Sequence, residues 1–103
     1  MNQENVVEAF HQRMRQIHEE AKEIGYNANR FITMVESEGG LQAAKKLLAA
    51  RGHSDGLTRL WEEKRLDISL EATILQEPWC ELFSEGELQT ARLKLRELGY
   101  ETK

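Results

Sequence analysis

The chain has one cysteine, Cys80, and one proline, Pro78. A single thiol cannot close an internal disulfide or furnish a thiolate zinc cluster, so the fold must rest on packing. No apolar run approaches the roughly 18 residues that a membrane span requires, which argues against a membrane partner. The first residues, Met1-Asn2-Gln3-Glu4-Asn5, lack the basic-then-apolar layout of a secretory signal. A cytoplasmic protein is expected. Excess positive charge is also missing: 14 Lys and Arg against 18 Asp and Glu give a net charge of −4 and a pI near 5.4. The molecule as a whole therefore does not attract polyanions. There is no alternating strand pattern of useful length, no internal repeat and no low-complexity tract.

What remains is 103 residues, 40% of them hydrophobic and 31% charged, a size and balance that suit one folded domain. From Gln3 to Ile24 the apolar residues Val7, Phe10, Met14, Ile17, Ala21 and Ile24 recur at spacings of three and four, the a/d pattern of a long amphipathic helix. Gly25 is placed to end it. Asn27 can cap a second helix running to about Ser37, with Gly39-Gly40 as the break and a third helix from Gly40 to about Arg51. After the polar turn Gly52-His53-Ser54-Asp55-Gly56, a short fourth helix to about Lys64 is expected to bury Leu57, Leu60 and Trp61. Leu66-Asp67-Ile68 reads as an extended link and Ser69 as the cap of a fifth helix that stops before Pro78. Pro78 can open a further turn to Phe83. Ser84 and Glu87 form the S-x-x-E capping box, with Phe83 and Leu88 as its hydrophobic staple, and the last helix closes at Gly99. The expected class is all-α: a compact bundle of five or six helices in which the N-terminal helix (1–24) packs with a helical module (25–103) as a single domain.

No catalytic, metal or cofactor site is assigned. His11 and His18 lie seven apart, whereas helical metal pairs sit three or four apart, and no third ligand is implied. Cys80 has neither a base nor a cationic setting in the sequence around it. Gly39-Gly40 lacks the lysine and serine or threonine of a phosphate-binding loop. A non-catalytic chain is expected.

Two features point toward partners. An isolated helix of three heptads gains little in water, so the seam Val7, Phe10, Met14, Ile17, Ala21, Ile24 must be covered either by a second copy or by the body of its own chain. The second feature is a local charge reversal. Between Lys45 and Arg65 six basic residues (Lys45, Lys46, Arg51, Arg59, Lys64, Arg65) stand against three acidic ones, which offers an accessory nucleic-acid surface within an acidic whole. Arg92, Lys94 and Arg96 form a second basic cluster. Arg65, Asp67 and Glu71 gather at the entrance of the fifth helix, as an internal ion-pair network or a contact site.

From Gly25 to Tyr100 the sequence carries Gly25-Tyr26-Asn27, Phe31, Met34, Gly39-Gly40, Ala44, Leu47-Leu48, Gly56-Leu57 and Leu60-Trp61. It continues with Arg65-Leu66-Asp67-Ile68-Ser69-Leu70-Glu71, Pro78-Trp79, Leu82-Phe83, Glu87, Ala91-Arg92 and Gly99-Tyr100. As a set these resemble a poorly characterised family of small bacterial all-helical modules, found alone or at the C-termini of nucleic-acid-processing and defence-type proteins. The resemblance implies an accessory role and supplies no catalytic residue. The combined expectation is a helical interaction or adaptor module that self-associates through its N-terminal helix, with nucleic-acid binding through segment 45–65 as the alternative.

Overall fold

The longest amphipathic segment sets the frame: in the computed structural model, which describes residues 3–100, helix α1 spans Gln3–Glu23. It closes as the sequence predicts. Gly25 takes a φ of +89°, the Gly25 N–H donates to the Lys22 carbonyl and the Tyr26 N–H reaches back to Ala21 at 2.9 Å. These paired bonds satisfy carbonyls that the helix end leaves open, and they need a left-handed residue that glycine supplies at little cost. The apolar stripe of α1 is buried inside its own chain, with Phe10 and Met14 wholly inaccessible. At the N-terminal end Val6 is buried and Val7 only half-buried. A helix of 3.6 residues per turn drifts against a 3.5-residue repeat, which moves the buried line by one residue there.

Helix α2 (Asn29–Glu38) and α3 (Gly40–Ala49) are separated by Gly39 alone, at φ +90°. Asn27 does not cap α2: Ala28 precedes the helix with no side-chain cap, and the Asn27 Oδ1 instead faces His18 Nε2 at 3.2 Å. Ser54 caps α4 (Asp55–Glu62) by accepting the Leu57 N–H. Residues Leu66–Ile68 form a 3-10 turn, where the sequence suggested an extended link. Ser69 then caps α5 (Leu70–Ile74): its hydroxyl accepts the Ala72 N–H and donates to the Leu66 carbonyl, so one buried side chain serves both elements. A second 3-10 turn, Trp79–Leu82, leads into α6 (Glu85–Glu97), whose capping box is fully formed. The end of α6 repeats that of α1, with Gly99 at φ +80° and the Tyr100 N–H on the Leu95 carbonyl. Six helices are described, and no strand among the described residues.

These elements enclose two apolar clusters. The larger joins α1, α2 and α3 to α5 and the start of α6, and it centres on Phe10, whose ring lies 5.7 Å from Trp79 and 5.5 Å from Phe83. The smaller holds Leu57, Leu60, Leu66, Ile68, Ala72 and Leu95, with Ile24, Leu98 and Tyr100 partly buried against it. Polar groups bind the frame across α3. Lys45 Nζ contacts both carboxylate oxygens of Glu87 at 2.9 and 3.2 Å and lies 5.1 Å from the Phe83 ring centre. Lys94 is buried, and its ammonium donates to the carbonyls of Leu47 and Ala50, capping the C-terminal end of α3.

Helices α1 and α3 approach closely at Gly40. A Cβ placed on Gly40 would stand 2.7 Å from the Cα of His11, and the Gly40 N–H donates to His11 Nδ1 at 2.9 Å. Gly40→Ala is therefore expected to force the helices apart and to lower unfolding free energy by about 1–3 kcal/mol, the usual cost of overpacking. Urea denaturation at unchanged slope measures it, and an unchanged midpoint would contradict this close packing.

Candidate functional site

The residues singled out from the sequence have unequal fates. In the N-terminal seam, Phe10, Met14, Ile17 and Ala21 are buried against the chain's own helices, and Val7 and Ile24 are half-buried. The histidines occupy local polar roles. His11 accepts the first N–H of α3, His18 faces Asn27, and His53 Nε2 lies 3.1 Å from a Glu97 oxygen. Among the described residues there is no group of three or more His, Cys, Asp or Glu side chains placed to hold a metal ion. None of the described helices is long and apolar enough to cross a membrane.

The basic segment is largely neutralised in place. Lys45 is held by Glu87, Lys46 by Glu38, Arg59 by Glu63 and Arg65 by Asp67. Arg51 and Lys64 have no carboxylate within ion-pair distance among the described residues. In the second cluster only Arg96 is exposed without a carboxylate in ion-pair distance among the described residues. Lys94 is buried on backbone carbonyls, and Arg92 reaches Glu85 at 3.5 Å.

At the end of α4 two local rules are broken together. Trp61, expected in the core, is 47% exposed, and with Leu93 it is one of two large hydrophobic side chains exposed among the described residues. Three residues on, Lys64 has a φ of +61°. Its N–H donates to the Trp61 carbonyl and the Arg65 N–H to Leu60, the same paired closure that Gly25 and Gly99 make elsewhere. A lysine in the left-handed region costs roughly 1–2 kcal/mol relative to a right-handed backbone, and glycine would avoid it. Trp61, Glu62 and Lys64 line a groove of about 580 Å³ together with Leu66, Leu98 and Tyr100.

A second concavity, about 710 Å³, opens between α1, the start of α2, the start of α4 and the start of α5. Its walls are mainly apolar, and Glu71 forms part of its lining. Glu71 is only 4% exposed. It is not part of an ion-pair network with Arg65 and Asp67: those two bind each other near the surface, at 3.1 and 3.4 Å, while Glu71 turns inward without them. Burial raises the Glu71 carboxyl above the usual range; a bond from its own backbone N–H and the fields of Lys94 and His53 work in the other direction. Both cations have other partners, Leu47 and Ala50 for Lys94 and Glu97 for His53.

Comparisons with protein-family models, with curated proteins and with solved structures found no match for this chain.

Two outcomes follow from these placements. The pair Phe10→Glu and Ile17→Glu is expected to abolish the cooperative thermal transition, because each change puts a charge into the core; a folded double variant of altered mass would restore the seam as an exposed interface. For Glu71, the folded state holds the proton more tightly than the unfolded chain. Stability is then greatest below the ordinary carboxylate range and falls as pH rises through that range toward the raised folded value. Glu71→Gln is expected to remove this part of the slope in urea titrations, leaving the variant more stable than the parent on the alkaline side. Equal slopes in both proteins would show that Glu71 is not held as described.

Proposed function

We propose that the protein is a non-catalytic, cytoplasmic interaction module that docks a short segment of another protein at the Trp61 groove. The observation that carries this reading is the pairing of an exposed tryptophan with a lysine held in a left-handed backbone along one groove. Tryptophan is enriched at binding hot spots because it offers a large rigid surface at small entropic cost. The left-handed turn closes α4, and a lysine kept where glycine would close it without strain is the kind of feature that marks a working site.

Size favours a segment over a second copy. A half-exposed tryptophan offers on the order of 100 Å², whereas a stable dimer buries about 800 Å² on each partner. The groove suits one anchoring side chain, aromatic or branched aliphatic, and an acidic neighbour able to reach Lys64. Nucleic-acid binding finds less support, since four of the six cations of segment 45–65 lie against carboxylates of the same chain. Phosphate contacts would have to displace those partners.

The test is selection from a random peptide library on the immobilised protein. Enriched peptides are expected to share an apolar anchor beside an acidic residue, and to lose binding about tenfold or more to Trp61→Ser. Lys64→Gly is expected to fold at least as stably as the parent, because it relieves the left-handed strain, and yet to bind those peptides more weakly. No enrichment, or peptides that bind Trp61→Ser equally well, would overturn the reading.

A further inference from the structure

The groove at Trp61 leaves the larger cleft unexplained. That cleft has the size of small-molecule sites, which fall at about 300–1,000 Å³. Its walls are built by elements far apart in the sequence: Ile17 and Ala21 from α1, Phe31 and Met34 from α2, Leu57 and Leu60 from α4. Such walls bury the body of an apolar ligand. At the mouth, Arg30 and Asp55 balance each other in charge, and the Tyr26 ring lies 5.7 Å from the Arg59 guanidinium, beside the start of α4. Depth, apolar walls and polar mouth are the usual combination for a ligand cleft.

The inner wall carries the specific chemistry. Glu71 is the one acidic side chain buried there, and none of the described side chains donates a hydrogen bond to its carboxylate. The two cations whose fields reach it are committed to carbonyls of α3 and to Glu97. The bond from its own backbone N–H offsets part of the desolvation of this carboxyl, and buried carboxyl groups ordinarily have side-chain partners as well. A donor arriving from outside would complete the arrangement, and in a dry cleft that contact is worth more than in water. An anionic ligand would meet the carboxyl unfavourably, and a purely apolar one would leave it as it is. The geometry points to a binding site for a small molecule with an apolar ring and one basic nitrogen, the ring seated between Met34 and Leu57 and the nitrogen on Glu71.

Benzylamine and its neutral analogue benzyl alcohol provide the test, with the full chain and two-dimensional amide NMR. Benzylamine is expected to give saturable shifts centred on Ser69–Glu71 and on 26–31, with benzyl alcohol at least about tenfold weaker. Glu71→Gln, which keeps the shape and removes the charge, is expected to bring benzylamine down to the level of the alcohol. Should the variant fail to fold, the comparison of the two probes on the parent protein still decides. Absence of saturable shifts at these residues, equal affinity for the two probes, or undiminished benzylamine binding by a folded Glu71→Gln would each overturn the assignment. Since the probes are read at α2 and α5, failure here leaves the Trp61 groove untouched, and failure there leaves this cleft untouched.

Discussion

The fold depends on the close crossing of α1 and α3 at Gly40. With no side chain at that position, the two backbones approach until the His11 imidazole can accept the first N–H of α3, a donor that a helix start otherwise leaves open. The approach sets the depth at which Met14 and Phe10 enter the core, and Phe10 in turn sets the positions of Trp79 and Phe83. From the other side α6 fixes α3 at its middle and at its C-terminal end. Glu87 holds Lys45, and Lys94 caps the carbonyls of Leu47 and Ala50. Hence α3, though only ten residues long, couples the N-terminal helix to the C-terminal one. Much of its stability comes from these neighbours, since so short a helix is marginal by itself.

Helix ends were the part of this fold most legible in the sequence, because the residues that stop and start helices act within four positions of themselves. Ser69 and Ser84 cap the helices expected of them, Ser54 caps α4 in the same way, and Gly25, Gly39 and Gly99 take a positive φ. Asn27 had the right chemistry for a cap, but His18, nine residues earlier, competes for its side-chain oxygen. The turn at Leu66–Ile68 was hidden for a similar reason. It is stabilised by the Ser69 hydroxyl and by burial of Leu66 and Ile68, both set by tertiary packing. Trp61 had the spacing of a core residue, yet the small cluster around Leu57 and Leu60 is closed by Leu95 from the far end of the chain.

Candidate surfaces were less legible than helix ends, and charge shows why. A sequence displays cations without their partners: Lys45 and Glu87 are 42 residues apart, and Lys94 finds its carbonyls 44 and 47 residues away. The local excess of positive charge between Lys45 and Arg65 is thus mostly cancelled by acids that the same window either contains or cannot see. The seam of α1 misleads in the opposite direction. Its periodicity says that one face must be covered, and a second copy of the helix and three shorter helices of the same chain satisfy that demand equally well.

The residues that remain after packing and pairing have been accounted for are few, and they share a property. Lys64 occupies a backbone conformation that the chain elsewhere gives to glycine, Trp61 turns a large apolar ring toward solvent, and Glu71 holds a carboxyl out of water without a partnering cation. Each is locally unfavourable, by an amount comparable with the whole contribution of a good cap. Elsewhere the buried side-chain N and O atoms of the described residues all have hydrogen-bond partners, and Ser54, Ser69 and Ser84 cap their helices. Exceptions that gather at concavities are what selection for binding leaves behind when it acts against selection for stability. The two concavities differ in kind. One is a shallow groove suited to a protruding side chain, and the other is a deep cleft with a single buried acid, suited to a small basic ligand.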